Sequence, residues 1–213
     1  GNGILSNSID TVSRLFTTAG LYDVKLVATN GIGCKDSITR SVNIVAFATS
    51  INGPDSICAG SSASFSYTSN TTISSSTWRD GLLPNPANNV ASFSRTYNTP
   101  GNYSITLNVN YGSCSDQITK TLVVKPRPSV SWRVDGDSVS CSAPLEVRFI
   151  NTSTSPGGMF YNWSFGPSGA TDIVQQPRYL YQTAGNFTVS LTVRNSFNCS
   201  ATLTRANTVR IQA

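Results

Sequence analysis

Apolar and polar residues alternate strictly along three similar stretches of the chain. In the last stretch, the residues of one parity are all apolar: Phe187, Val189, Leu191 and Val193. A period of two residues is typical of a β-strand with one buried face. Thr183-Ala184-Gly185 precedes this run and supplies a glycine, which tolerates a positive φ where the chain must turn. The pattern predicts a strand, a turn and a core strand within residues 179–195.

The same pattern surrounds two earlier glycines. Gly20, Gly101 and Gly185 are separated by 81 and 84 residues. Three aromatic residues keep these offsets and three cysteines follow at offsets of 80 and 85: Tyr22, Tyr103 and Phe187, then Cys34, Cys114 and Cys199. A repeat of this length is too long for a solenoid and has the size of a small β-sandwich domain. We therefore predict an all-β chain built as an array of β-sandwich domains.

The repeats and one linker predict three domains. Residues 1–45 hold only a hairpin and a last strand, so we interpret them as the C-terminal half of a domain. Lys125-Pro126-Arg127-Pro128 is a linker, because two prolines favour an extended backbone and interrupt strand pairing. It separates the second domain, 46–126, from the third, 127–213.

The distribution of charge and the hydropathy of the chain argue against two kinds of partner, nucleic acid and the membrane interior. The chain has 15 Lys and Arg against 10 Asp and Glu, a net charge of +5, and these residues are scattered. Nucleic-acid binding requires a clustered basic surface with stacking aromatic rings. Spanning a bilayer requires roughly 20 consecutive apolar residues. We expect neither a nucleic-acid partner nor a membrane-spanning segment.

The inventory of reactive side chains is small. The sequence contains no His, which removes Ser-His-Asp and Cys-His catalysis and the commonest metal ligand. The cysteines stand singly and the acidic residues form no evident pair for acid-base chemistry. Asp135-Gly136-Asp137 has oxygen ligands at a glycine turn, as calcium loops do, but a plain turn is our primary interpretation. We expect no catalytic residue, no cofactor and no metal site.

Four motifs in the third domain occur in a fixed order. They are Phe149-x-Asn151-x-Ser153, Trp163-x-Phe165-Gly166, Pro177-x-x-x-Tyr181 and Ala184-Gly185-x-Phe187-x-Val189. This order resembles the polycystic kidney disease (PKD) domain, an immunoglobulin-like β-sandwich. The second domain keeps the glycine hairpin and its tryptophan but lacks the following Phe-Gly. The resemblance implies tandem immunoglobulin-like sandwiches arranged head to tail, with four aromatic residues in their cores: Trp78, Trp163, Tyr103 and Phe187.

The cysteines favour a bond between domains. In an immunoglobulin-like sandwich, Cys58 and Cys141 fall at the end that holds the glycine turn, whereas Cys114 and Cys199 lie a strand length away, roughly 30 Å. A disulfide needs Cα atoms within about 7 Å. In a head-to-tail array the Cys58 end meets the Cys199 end, so we predict Cys58–Cys199.

Cys34 and Cys114 would then pair with cysteines before residue 1, and Cys141 with a cysteine beyond residue 213. The alternative is pairing within domains, Cys58–Cys114 and Cys141–Cys199, with Cys34 again bonded outside these residues.

Four Asp-Ser/Thr-apolar triplets resemble the O-glycosylation motif of exported Bacteroidota proteins. The resemblance implies sugars on four hydroxyl residues: Thr11, Ser37, Ser56 and Ser138.

PKD arrays with cysteines at these positions resemble cell-surface proteins of Bacteroidota, including gliding-motility adhesins exported by the type IX secretion system. The first hypothesis is a non-catalytic structural and adhesive stalk segment secreted to the bacterial surface. Its partners would be the export and outer-surface machinery, while other parts of the chain bind surface polysaccharide or a solid substratum. The alternative is a spacer or polysaccharide-binding accessory module of a secreted hydrolase. A eukaryotic receptor ectodomain fits less well, because of the Asp-Ser/Thr triplets and the missing His.

Overall fold

The computed structural model describes residues 11–82, 87–112, 114–166 and 169–212. Within these ranges the regular structure is entirely β-strand, so the predicted all-β class is confirmed and no helix of membrane-spanning length occurs there. The chain separates into two compact units. One extends to Ser50 and includes Ser69–Thr72, and the other comprises Ile51–Thr68 and the chain from Ile73 onward.

Among its described residues, the first unit has one antiparallel hairpin, formed by β1 (Gly20–Thr29) and β2 (Lys35–Ile44). The two strands pair without interruption along their whole length. Its apolar side chains, among them Leu21, Leu26 and Ile38, remain exposed. Among the described residues of this unit, nothing covers the apolar face of the hairpin.

The second unit begins with a sandwich of a three-stranded and a five-stranded sheet, which we call the first sandwich. Its sheets have the orders β3-β5-β8 and β4-β10-β9-β6-β7. The division between the two units falls within β3. The strands are β3 (Thr49–Asn52), β4 (Ser56–Cys58), β5 (Ser61–Ser69), β6 (Ser75–Arg79), β7 (Ala87–Asn88), β8 (Ser92–Tyr97), β9 (Gly101–Asn110) and β10 (Ser115–Lys125).

The second sandwich repeats this topology. Its sheets have the orders β11-β13-β16 and β12-β18-β17-β14-β15, so every strand has a counterpart eight places earlier. The strands are β11 (Trp132–Asp135), β12 (Val139–Ser140), β13 (Leu145–Asn151), β14 (Met159–Ser164), β15 (Thr171–Asp172), β16 (Arg178–Tyr181), β17 (Gly185–Asn195) and β18 (Ser200–Ile211). Tandem β-sandwiches are thus confirmed, while the exact boundaries at residues 45/46 and 126/127 stay predictions.

Each sandwich has its own core, and strand alternation places the side chains in it. Trp78 and Trp163 are fully buried, as predicted. Tyr103 and Phe187 are only partly buried and pack against the edges of the two cores. Trp132 is also buried, yet the sequence pattern did not single it out, because its strand has only four residues.

The repeated glycines open core strands. Gly185 is the first residue of β17, lies opposite Ile211 and has a φ of 155°. A Cβ there would lie 3.2 Å from the Phe187 ring, tighter than ordinary van der Waals contact. At Gly20 and Gly101 a Cβ would lie 3.6 and 3.9 Å from the nearest ring atom, which is ordinary contact, so the feature that the three glycines share is their positive φ.

Candidate functional site: a disulfide-clamped junction

The short strand β4 brings Cys58 to the start of the linker. It pairs in parallel with the last residues of β10, with Cys58 opposite Lys125. The chain then leaves β10 through Pro126 and Arg127 into the second sandwich. Cys58 therefore lies at the end of the first sandwich from which the second sandwich continues.

Cys199 closes the turn between β17 and β18. The Asn195 backbone N–H donates to the Cys199 carbonyl over 2.9 Å. The Asn195 Oδ1 accepts the backbone N–H of Phe197 (3.2 Å) and of Cys199 (3.0 Å). A side-chain amide that binds the backbone two and four residues on fixes the turn and the direction of the Cys199 side chain.

A disulfide joins the two cysteines. The Cα atoms of Cys58 and Cys199 lie 5.7 Å apart, within the usual disulfide range, and 141 residues separate them in sequence. This is the predicted interdomain bond. Cys199 is 1% exposed, so the junction covers it almost completely.

The alternative pairings Cys58–Cys114 and Cys141–Cys199 are wrong. Cys141 follows Ser140, which pairs with Ile211 at the end of the sandwich that also holds Gly185. Cys199 precedes the other end of β18, a full strand away. Cys34 and Cys141 take part in no disulfide of the described residues, and all three of Cys34, Cys114 and Cys141 are exposed.

Arg127 bridges the two sandwiches. Its guanidinium donates to the Ala59 carbonyl (2.6 Å) and Ser61 Oγ (3.0 Å) of the first sandwich, and to the Ser200 carbonyl (2.8 Å) of the second. The fork of donors on arginine suits such multiple contacts. From the sequence, Arg127 is predicted only as part of a linker, and its position between two prolines is the one signal that marks it.

Asn195 adds a fourth hydrogen bond at the junction. Its Nδ2 donates to the Pro126 carbonyl over 2.9 Å, and the residue is 1% exposed. All hydrogen-bonding atoms of this buried amide are thus used, as burial of a polar group requires. We call the Cys58–Cys199 disulfide together with Arg127 and Asn195 the clamp.

A buried ion pair lies inside the first sandwich. Arg95 Nη1 lies 2.7 Å from both carboxylate oxygens of Asp80, and the Tyr97 hydroxyl donates to Asp80 Oδ2 over 3.1 Å. Burial, reinforced by the Asp80 carboxylate, raises the pKa of Tyr97 above its usual range. Among the described residues, Arg95, Tyr97 and the Leu82 backbone N–H all donate to this carboxylate, so we assign Asp80 a structural role.

The acidic turn considered for calcium is engaged by arginines. Asp135 Oδ2 lies 3.3 Å from Arg148 Nη1, and Oδ1 lies 3.8 Å from Arg133 Nη1. Two cations beside the carboxylate oppose binding of a third. Among the described residues, no group of three or more potential metal ligands occurs.

The predicted glycosylation residues lie at different depths. Thr11, Ser37 and Ser56 are exposed, whereas Ser138 is half-buried just before β12. Asp10, which completes the first triplet, lies outside the described residues.

An aromatic cleft of about 500 Å³ opens on the second sandwich. Its aromatic lining consists of Phe165, Tyr179, Tyr181 and Phe187. The Tyr181 hydroxyl donates to the Phe165 carbonyl over 3.2 Å, and burial raises the pKa of Tyr181 above its usual range. Tyr179 and Phe187 are half-buried, so parts of their rings face the cleft.

Comparison with known proteins identifies similarity over the second sandwich. Residues 128–211 match the family model of the PKD domain, which supports a PKD domain in this part of the chain. The chain matches no curated protein.

Several solved structures are similar. The PKD1 domain of the Vibrio cholerae metalloprotease PrtV is 27% identical over 41% of this chain and 99% of that one, with a TM-score of 0.34. The PKD1 domain of Vibrio anguillarum Epp is 28% identical over 41% and 95%, with a TM-score of 0.34. The fibronectin(III)-like modules of Clostridium thermocellum CbhA are 16% identical over 78% and 94%, with a TM-score of 0.42.

Proposed function

We propose that the chain is a non-catalytic structural and adhesive stalk segment of a large secreted cell-surface protein. PKD and immunoglobulin-like domains are commonly adhesive or spacer modules without catalysis. The observation that carries the proposal is the clamp, because it joins two consecutive sandwiches by one covalent bond and four hydrogen bonds. A junction built in this way holds the two domains in one orientation, which is what a spacer requires.

The clamp also favours an extracellular setting. Disulfides persist in oxidising compartments and at cell surfaces, and are rare in the reducing cytosol. The bond lies at the junction of two sandwiches, where Cys199 is buried and Cys58 is half-buried. We therefore propose that the protein works in its oxidised form outside the cell.

Distance measurement by electron paramagnetic resonance tests the structural role. Spin labels enter the full chain through a non-natural amino acid at two exposed positions, Ser104 in the first sandwich and Asn186 in the second. The oxidised chain is expected to give a single narrow distance distribution. The Cys58→Ser/Cys199→Ser variant is expected to give a broad one. Equally broad distributions in both chains would refute the structural role.

We further propose a place in a bacterial gliding-motility adhesin exported by the type IX system. The support is the resemblance of the array and of its Asp-Ser/Thr triplets to such proteins. Antibodies against this chain should label intact cells of the producing bacterium, and deletion of its type IX translocon should abolish the labelling. Unchanged labelling after the deletion would contradict this assignment.

O-linked sugars on Thr11, Ser37, Ser56 and Ser138 are part of the same proposal. Three of these residues are exposed, so a glycosyltransferase could reach them in the folded chain. Ser138 is half-buried and should carry the least sugar. Intact-mass spectrometry of the native protein is expected to exceed the mass of the bare polypeptide. A bare mass would dispose of the glycosylation proposal and leave the structural role untouched.

The aromatic cleft favours the alternative, a polysaccharide-binding accessory module of a secreted hydrolase. Sugar rings stack on aromatic faces, and Tyr179 and Phe187 present parts of their rings there. Affinity electrophoresis in gels that contain polysaccharide tests this candidate. Binding would be supported if the polysaccharide retards the wild-type chain and the Tyr179→Ala variant is not retarded. Equal mobility of both chains in every polysaccharide would leave the spacer role as the function.

A further inference from the structure

The turn that carries Cys199 occurs a second time, in the hairpin of the first unit. The Asn30 N–H donates to the Cys34 carbonyl over 3.0 Å, as Asn195 donates to Cys199. Asn30 Oδ1 accepts the N–H of Ile32 (3.1 Å) and of Cys34 (2.9 Å), the same two positions that Asn195 binds.

The two turns also share a residue with a positive φ. The fourth residue of each turn, Gly33 or Asn198, has a positive φ, 86° and 66°, and donates its N–H to the asparagine carbonyl over 3.0 Å. The two five-residue turns therefore present an asparagine amide and a cysteine in the same way. By contrast, the Cys114 turn is one residue shorter and begins with Tyr111.

The two copies differ in what covers them. Asn195 and Cys199 are each 1% exposed, since the end of the first sandwich lies over them. Asn30 and Cys34 are exposed, and among the described residues Asn30 Nδ2 has no hydrogen-bond acceptor. In the clamp the equivalent Nδ2 binds a linker carbonyl. The hairpin thus carries one half of a clamp.

The complementary half is repeated in the second sandwich. Ile57, before Cys58, pairs with Val124, which lies opposite Gly101. Ser140, before Cys141, pairs with Ile211, which lies opposite Gly185. Cys141 therefore occupies in the second sandwich the register position that Cys58 occupies in the first, and it is exposed.

We propose that the Asn30–Cys34 turn is a docking surface for the end of another β-sandwich of this kind. That end presents a cysteine in the register of Cys58 and Cys141, together with a backbone carbonyl for Asn30 Nδ2. The docked pair is then closed by a disulfide. This inference rests on the proposed structural role of the clamp. It identifies the end of another β-sandwich as the partner in a second clamp of the same kind.

The bond requires a two-electron oxidant, and a small disulfide such as glutathione disulfide suffices. The Cys141 thiolate of one chain attacks it, which forms a mixed disulfide and releases one glutathione. The Cys34 thiolate of the docked chain then displaces the second glutathione. Two protein thiols lose two protons and two electrons, and one glutathione disulfide becomes two glutathiones.

A cross-linking experiment with the full chain tests the proposal. Equal amounts of ordinary and ¹⁵N-labelled chain are incubated in a glutathione redox buffer, and disulfide-linked peptides are mapped by mass spectrometry. Mixed-isotope Cys34–Cys141 peptides are expected to exceed Cys34–Cys34 and Cys141–Cys141 peptides by about tenfold, because docking orients the reacting pair. Comparable amounts of all pairs, a Cys34–Cys114 majority, or Cys34–Cys141 bonds only within one copy would overturn the proposal.

Two variants separate docking from simple thiol encounter. Asn30→Asp keeps the oxygen acceptor of the turn but replaces the Nδ2 donor, so Cys34–Cys141 peptides should fall about fivefold. Asn43→Asp places the same charge on an exposed site in the same hairpin and should leave them unchanged. An equal fall in both variants would refute recognition by Asn30.

The folded state of the turn is checked separately by amide hydrogen exchange. The Cys34 N–H, held by Asn30 Oδ1, should be protected in both variants. Loss of protection in the wild-type chain would remove the premise and overturn the proposal. Failure here concerns Cys34 alone and leaves the spin-label result on Cys58 and Cys199 standing, so the two proposals fail independently.

Discussion

Asp80 lies inside the first sandwich with a side chain that has no solvent exposure, and Arg95 lies against it with 27% exposure. We predict that Asp80→Asn destabilises the first sandwich by about 3 kcal/mol, because removal of one partner leaves the other charge poorly compensated. Urea unfolding monitored by intrinsic fluorescence measures the change.

A surface ion pair provides the control for Asp80. Arg178 and Glu146 are 61% and 55% exposed, so Glu146→Gln should cost no more than about 1 kcal/mol. Equal losses in the two variants would show that burial does not determine the strength of these pairs.

Tyr181 makes stability depend on alkaline pH. Burial, with a smaller contribution from Tyr179, raises the pKa of Tyr181, so the fold favours the protonated phenol. Its contribution is complete below the unfolded pKa of about 10 and is lost as the pH rises further. The free energy of unfolding is measured from pH 8 to 11 for the wild-type chain and for Tyr181→Phe. Above pH 10 it should fall more steeply in the wild-type chain, and the two slopes should differ by roughly 1.4 kcal/mol per pH unit. Parallel curves for the two chains would contradict this.

At the scale of elements, the Asn195 turn controls access to the clamp. Asn195→Ala removes two hydrogen bonds within the turn and the one to Pro126. We expect dithiothreitol to reduce the Cys58–Cys199 bond about tenfold faster in this variant, because each net hydrogen bond is worth about 1 kcal/mol. Timed alkylation and mass spectrometry measure the rate. Asn30→Ala, which removes the same turn bonds in the hairpin, should leave it unchanged.

Strand length decided which elements the sequence could predict. The alternation around Gly185 and Gly101 predicted β17 and β9, since ten or eleven residues display a period clearly. Strands β7, β12 and β15 have two residues each and carry no period, so they were not predicted. Yet β12 sets the position of Cys141, and its three-residue counterpart β4 sets that of Cys58.

At the scale of the whole molecule, the cysteine pairing followed from sequence because it depends on strand lengths and on which ends of a sandwich carry the turns. The contacts of Arg127 did not, since its acceptors lie 66 to 73 residues away in both directions. Their distances depend on the angle between two sandwiches, which no local pattern encodes. The buried pair of Asp80 and Arg95 was missed because it joins the two sheets of one sandwich, and the facing of residues across two sheets is not encoded in either strand's period.

The Cys58–Cys199 bond also determines which residues bear tension when the chain is pulled from its ends. The load passes along the chain to Cys58, crosses the sulfur atoms and continues from Cys199, so β5 to β17 lie outside its path, whereas β1 to β4 and β18 lie within it. The sequence separation of 141 from Cys58 to Cys199, at about 3.5 Å per residue, amounts to roughly 490 Å of contour length.

Optical tweezers can measure this reserve. Complete unfolding of the oxidised chain should fall short of that of Cys58→Ser/Cys199→Ser by roughly 490 Å of contour length. Equal extension of the two chains would contradict this prediction, because it would show that the chain between Cys58 and Cys199 bears load even in the oxidised protein. With the bond intact, the chain between Cys58 and Cys199 cannot be drawn out by pulling on the ends, and reduction of the bond releases that length.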